Sequence, residues 1–257
     1  MSHWSLDLYL EYLSGLSPPE GSFEAEGAWE HVYDVFPIYA DLHLTGQAWS
    51  RQHKGMLRLK RTPLPGEEAF RLEVESEVTF LGWLPTRTQR TTASVKCADD
   101  RLATPLSWEL ESVALSAEDG SPVALSHMRE SGVREDGAVE LVFEGGRRTL
   151  EVSSPLTSNW SLFDAVQRLP RGEAPGAEFE MLEDLRLRRA HQRLTAEDRT
   201  EVTMGGKSVP LYGFRQIGEG ISPTHYWLDE QGRLLLAFGK MRAYIWHDGV
   251  TASTQGD

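Results

Sequence analysis

Between Phe70 and Phe80 the chain alternates strictly. Phe70, Leu72, Val74, Ser76, Val78 and Phe80 are separated by Arg71, Glu73, Glu75, Glu77 and Thr79, a two-residue period held for eleven positions. Only an extended strand sends successive side chains to opposite faces, so the run predicts a strand with one inner face and one charged face. A strand solvated on one side belongs to an antiparallel sheet, because strands of parallel sheets are covered on both sides. Doubly wound α/β architecture is thereby disfavoured.

Shorter runs of the same kind follow at Trp49–Lys60, Thr86–Cys97, Leu106–Leu115, Val123–Arg129, Ala138–Phe143 and Arg147–Val152. Turn residues separate them, among them Asp99-Asp100, Asp119-Gly120, Asp136-Gly137 and Gly145-Gly146. No gap is long enough for a crossover helix, so the strands form a meander. Beyond Glu178 the pattern resumes. Glu178–Leu194 reads as strand, with a hairpin at Gly205-Gly206, strands through Leu211 and Phe214, His225–Leu228, Leu234–Phe238 and Arg242–Trp246, and a turn at Asp229–Gly232. Two helices interrupt the strands. One spans Trp4–Leu13, capped by Ser5 and stopped at Gly15; the other spans Leu162–Leu169 behind Asn159 and Ser161 and ends at Pro170.

The predicted architecture is mainly β: a single large curved antiparallel sheet or half-open barrel with one or two short covering helices. Flat open sheets of roughly ten or more strands are rare, so curvature is required. Three regions divide the chain: residues 1–45, a helix and an irregular aromatic arm (Trp29, Tyr33, Phe36, Tyr39); residues 46–248, the β domain, with its helical insertion near 159–169; and residues 249–257, a loose tail.

Charge narrows the function classes. With 26 basic and 39 acidic residues the net charge is −13, the wrong sign for a nucleic-acid groove. No apolar run approaches the ~18 residues of a membrane span, and residues 1–15 lack the basic start of an export signal. The lone Cys97 fits a reducing compartment. These features predict a cytoplasmic protein, or an exported one if a signal has been removed.

Motifs that carry chemistry are missing. The eight histidines are scattered, Gly-x-Ser-x-Gly does not occur, and both Gly-Gly pairs sit between strands without the Lys-Ser/Thr of a phosphate loop. Glu73, Glu75 and Glu77 read as solvated charge. Arg186, Arg188, Arg189 and Arg193 form the densest basic cluster, which either seats an anion or pairs with Glu183, Asp184 and Glu197. Cys97 reads as a structural thiol. No catalytic residue, metal site or cofactor is predicted.

Eight tryptophans are unusually many for this length. Rings on the inner face of a curved sheet either fill the core or line a cavity for an apolar molecule. The candidate ligand-binding residues are Trp108, Trp160, Phe163, Tyr226 and Trp227.

The run Met204-Gly205-Gly206-Lys207-Ser208-Val209-Pro210, then Tyr226-Trp227-Leu228-Asp229-Glu230-Gln231-Gly232-Arg233-Leu234-Leu235, and finally Arg242-Ala243-Tyr244-Ile245, resembles bacterial β-rich proteins related to the lipoprotein-carrier (LolA-like) architecture. The resemblance lies mainly in residues 179–246. It implies a large antiparallel sheet curved around a helix or an apolar cavity, and it implies no catalytic role.

Three functional readings stay open. The first is a non-enzymatic binding protein holding a lipid or other apolar ligand on the concave face. The second is an enzyme acting on a hydrophobic substrate inside the barrel through His127, His225 or a buried carboxylate. The third is an interaction module docking a protein partner through the 29–39 arm.

Overall fold

The structure, a computed structural model, describes residues 6–37, 55–80, 87–116, 118–152, 155–174, 176–239 and 242–247. In its first half lie β1 (Trp29–Pro37), β2 (Gly55–Pro63), β3 (Ala69–Phe80), β4 (Arg87–Ala98), β5 (Pro105–Ser116), β6 (Met128–Glu135), β7 (Ala138–Phe143) and β8 (Gly146–Glu151). The second half contains β9 (Leu156–Ser158), β10 (Phe179–Glu183), β11 (Leu187–Met204), β12 (Lys207–Ile217), β13 (Thr224–Leu228), β14 (Leu234–Gly239) and β15 (Arg242–Trp246). Two short α-helices accompany them, α1 (Leu10–Ser14), which continues a 3-10 turn at Leu6–Tyr9, and α2 (Ser161–Arg168).

All fifteen strands belong to one sheet, ordered β8-β7-β6-β5-β4-β3-β2-β1-β15-β14-β13-β12-β11-β10-β9. Every pairing is antiparallel except β9 with β10. The chain walks outward from β1 to one edge, crosses to the other, and walks back until β15 lies beside β1, with Tyr33 opposite Trp246 and Val35 opposite Tyr244. The β9 edge curls back onto the β4–β5 turn, where Thr104 Oγ1 donates to the Leu156 carbonyl (2.8 Å) and Thr157 Oγ1 to the Leu102 carbonyl (2.7 Å). The result is the curved, half-open antiparallel barrel expected from the alternation.

Several sequence expectations need correction. The irregular arm is instead strand β1, at the centre of the sheet, and Trp29, Tyr33, Val35 and Phe36 are buried. Its aromatics do not alternate because Tyr33 and Val35 pack inward while Phe36 packs on the other face. The strand expected at Val123–Arg129 starts later, at Met128; before it Pro122 meets Leu115 only in an isolated bridge. Glu178–Leu194 is not one strand but the hairpin β10–β11. Its turn was illegible because Asp184 (φ 50°) and Leu185 (φ 60°) hold the left-handed conformations usually given to Asn-Gly. Helix α2 is capped by Ser158, whose Oγ accepts from the Ser161 N–H (3.0 Å), and not by Asn159. Trp4, Ser5, Tyr39, Trp49, Trp83, the 45/46 boundary and the 249–257 tail lie outside the described residues.

The core has two layers. Inside the barrel, α2 packs against both halves of the sheet, and its residues Ser161–Gln167 are all buried. Phe163 meets Tyr33, Tyr226 and Tyr244 edge-on at 5.5, 6.0 and 5.3 Å between centroids. Outside, the N-terminal helix lays Tyr9 and Leu13 over Phe36, Met204, Leu211 and Trp227. This second layer explains why β14, Leu-Leu-Leu-Ala-Phe-Gly, is buried at every position, whereas β2 alternates.

One end of the barrel is sealed. Phe23 lies against His31 (5.2 Å), Arg233 donates to the Gly21 carbonyl, and Arg61 donates to the carbonyls of Glu26 and Gly27. The outer face of β1–β6 is a ladder of cross-strand ion pairs, including Lys60–Glu73, Arg58–Glu75 and Arg90–Glu77. The acidic row of β3 is thus paired surface charge.

Candidate functional site

At the other end the turn entering α2 stands free of the wall on two sides. The Ser158 cap fixes this turn, and it projects Trp160 and Phe163 toward the sheet. A cavity of about 190 Å³ lies between Trp160 and the inner face of β2–β6, reaching Leu57, Leu110 and Met128. A second, about 240 Å³, lies between Phe163 and β12–β13, reaching Gln216, Thr224 and Tyr226. Both touch Asn159, Trp160, Asp184, Arg242 and Tyr244. The pair therefore flanks one aromatic tongue.

The walls differ in chemistry. Around the second cavity Trp160, Phe163, Tyr226 and Tyr244 form an aromatic surface. Tyr226 is pinned from behind, its hydroxyl donating to Gln216 Oε1 (3.2 Å), and burial pushes its pKa above the ordinary phenol range. The first cavity faces a polar rung: Leu57, Ser76, Thr91, Ser112 and Met128 lie opposite one another across β2–β6. Thr91 and Ser112 hydroxyls are 2.8 Å apart, and Gln89 Nε2 donates to Ser112 Oγ at 2.6 Å. One rung deeper the same strands present Leu59, Val74, Ala93 and Leu110, and one rung nearer the rim the buried Val78 lies opposite Gln89, so the hydroxyls interrupt a mostly apolar inward face.

The lip is built by the β10–β11 turn. Asn159 clamps it twice, accepting from the Asp184 N–H (2.8 Å) and donating to Asp184 Oδ1 (3.1 Å). Arg186 reaches back across the lip, its Nε 2.7 Å from Glu130 Oε2. Burial of Glu130 pushes its carboxyl pKa upward, against the pull of Arg186.

Of the five predicted ligand residues, Trp160, Phe163 and Tyr226 line these cavities. Trp108 faces inward but is packed on Gly132 outside both of them. Trp227 is on the opposite face, in the layer under α1, because it follows Tyr226 in a strand. The rung Ser76–Thr91–Ser112 was missed, although the sequence signals it: Ser76 is the polar member of an otherwise apolar face.

The expected acid–base histidines are not inside the barrel. His127 Nε2 pairs with Glu111 Oε1 on the outer ladder (2.6 Å). His225 stacks on Phe238 (4.7 Å) outside and meets Glu197 at 2.8 Å. His31 is buried and its pKa is lowered to about 3, by burial first and then by Arg233. The Cys97 thiol is buried beside Ser161 (3.7 Å), and burial pushes it well above the usual thiol range. The basic cluster is largely paired, Arg186 with Glu130, Arg188 with Glu180 and Arg189 with Glu183. Asp229 and Arg233 meet through backbone groups, the Arg233 N–H donating to Asp229 Oδ1 (2.9 Å).

Fold and site together define a half-open antiparallel barrel plugged by one helix, with paired cavities at the unsealed end. No family model matches the sequence, and no curated protein matches it. Among solved structures the chain is similar to a β-barrel-like protein of domain of unknown function DUF1849 from Brucella abortus. That likeness has a TM-score of 0.53 at 11% identity and covers 86% of this chain and 96% of that one. At that identity it bears on the fold alone. No helix among the described residues is long and apolar enough to cross a membrane.

Proposed function

We propose that this protein is a non-catalytic binding protein that takes the apolar part of a small amphiphile, such as a single lipid chain, into the cavities around Trp160. The observation that carries this reading is the aromatic wall. Trp160, Phe163, Tyr226 and Tyr244 converge from α2, β13 and β15 at the unsealed end of the barrel. Each cavity is smaller than the roughly 300 Å³ at which drug-sized pockets begin, which favours one chain over a whole lipid. The lipoprotein-carrier resemblance of residues 179–246 and the barrel-like fold support the same reading.

A non-enzymatic role is favoured because His127 and His225 point away from the cavities and the buried Asp164 is held by Arg61 and Arg168. Docking through the 29–39 arm is set aside, since residues 29–37 are a central strand. The buried, unpaired Cys97 supports a reducing compartment such as the cytoplasm.

Titration with N-phenyl-1-naphthylamine tests the proposal. Saturable binding at one site is expected, weakened at least tenfold by Thr224→Phe, which fills the second cavity. Unsaturable binding, or equal affinity in a folded Thr224→Phe variant, would remove the reading. Native mass spectrometry of freshly purified protein is expected to show a bound apolar molecule.

A further inference from the structure

We infer that the ligand carries a neutral hydrogen-bonding head group, which sits on the Ser76–Thr91–Ser112 rung while its chain enters the aromatic cavity. The inference rests on the binding role proposed above and adds the chemistry of the head. Two observations carry it.

The first is the rung itself. Positions 76, 91 and 112 face inward in register, next to the apolar Leu57 and Met128. A wall meant only for hydrocarbon gains nothing from hydroxyls there, since each must be desolvated when an apolar group covers it. Ser112 is 3% exposed and already engaged by Thr91 and Gln89. Ser112 also donates to the Arg90 carbonyl (3.4 Å) and is fully engaged; because a hydroxyl donates once and accepts twice, the capacity left for a ligand lies on Ser76 and Thr91.

The second is the charge balance at the lip. Arg186 is already held by Glu130 at 2.7 Å. Arg242 and Asp184 both line the two cavities and carry opposite charges. Glu183, which also lines the second cavity, is held by Arg189 (2.7 Å), so the formal charges at the lip cancel: an anionic head meets Asp184 as well as arginine, and a cationic head meets arginine as well as Asp184. A buried ion without a dedicated partner is costly, whereas a neutral polyhydroxyl or amide head replaces its water bonds on the rung.

The sizes agree. At about 30 Å³ per water-sized group, 240 Å³ holds a chain of about eight carbons. Calorimetric titration below the micelle concentration with octyl glucoside, octanoate and octyltrimethylammonium at pH 7 provides the test. Octyl glucoside is expected to bind at least about tenfold more tightly than either ion, as two hydrogen bonds of ordinary strength imply. The variant Ser76→Ala/Thr91→Val should reduce that preference to within about threefold; Ser76→Thr should keep the preference. Equal or tighter binding of octanoate, with the naphthylamine probe still bound, would overturn the head-group inference alone. Failure of all three amphiphiles and of the probe would overturn it together with the binding role.

Discussion

Arg61 Nε lies 3.0 Å from Asp164 Oδ1, and neither side chain is exposed. The guanidinium also stacks on Phe70 (4.2 Å) and meets Asp99 (2.8 Å), while Arg168 holds the other Asp164 oxygen (2.8 Å). This network ties α2 to β2 and to the sealing segment, and so sets where Trp160 and Phe163 stand. Removing one partner leaves a buried charge behind. Arg61→Met should cost about 3–5 kcal/mol, and Arg61→Met/Asp164→Leu less than the sum of the two single changes. Urea denaturation of the four proteins measures both quantities; additive losses would mean the pair is not coupled.

Asp164 also makes stability depend on pH. Burial, outweighing the pull of Arg168 and Arg61, raises its pKa to about 6 from an ordinary 3.8. Between those values the folded state binds the extra proton, so the contribution of this group is fully present below about pH 4 and is lost as pH rises through 6. The stability of wild type minus that of Asp164→Asn is therefore expected to fall by roughly 3 kcal/mol from pH 4 to pH 7. A difference that grows with pH would contradict the assigned direction.

The strands that sequence made legible are those with one wet face. β3, β4 and β7 announce themselves through alternation, because Glu73, Lys96 or Glu140 must stay in water while Val74, Val95 or Leu141 do not. β1 shows it only faintly, because its outward positions include Val32 and Phe36 beside Glu30 and Asp34, and Phe36 is covered by α1, a tertiary contact that no local period reports. The candidate site was half legible for the same reason. Aromatic type suggested Trp160, Phe163 and Tyr226, but type says nothing about facing, and one residue of strand geometry sends Trp227 to the far side. The hydroxyl rung becomes a feature only once register aligns Ser76 with Thr91 and Ser112.

Trp108 occupies the space where a side chain at position 132 would be. A Cβ on Gly132 would lie 2.1 Å from the indole Cζ2, and Trp108 is 3% exposed. Gly132→Ala should destabilise by at least about 1–3 kcal/mol, the range for overpacking. Trp108→Leu in the same chain should recover part of that loss. Thermal melts compare the single and double variants, and an Ala that melts like wild type would refute the contact.

Leu13 is fully buried between the N-terminal helix and the outer face of the sheet, and neighbouring Tyr9 lies 4.8 Å from Phe238. Leu13→Ala should cost about 2–5 kcal/mol. It should also raise binding of an anilinonaphthalene dye, because loosening α1 uncovers Trp227 and Phe238. The naphthylamine affinity of the cavities should hold, since they open on the other face. A drop in that affinity in the folded variant would show that the two layers are not independent.

Asn159 is the residue that holds the lip. Its amide is bonded in both directions to Asp184, and its own N–H donates to the Leu182 carbonyl (3.3 Å). The turn it clamps contains Leu185 at φ 60°, a conformation that costs a bulky residue of order 1–3 kcal/mol and persists only where surroundings enforce it. Leu185 is completely buried, so burial pulls the turn inward while its backbone resists. Asn159→Ala removes both amide bonds and should destabilise by about 1–3 kcal/mol. Because the turn forms the shared rim of both cavities, the same variant should weaken naphthylamine binding several-fold. Asp184→Gly provides the contrast: it loses one amide bond but relieves the positive φ, so its stability should lie between wild type and Asn159→Ala. Amide exchange of the Asp184 and Arg186 N–H groups reports the clamp directly. Unchanged protection there in Asn159→Ala would mean that the buried Leu185 alone keeps the turn in place.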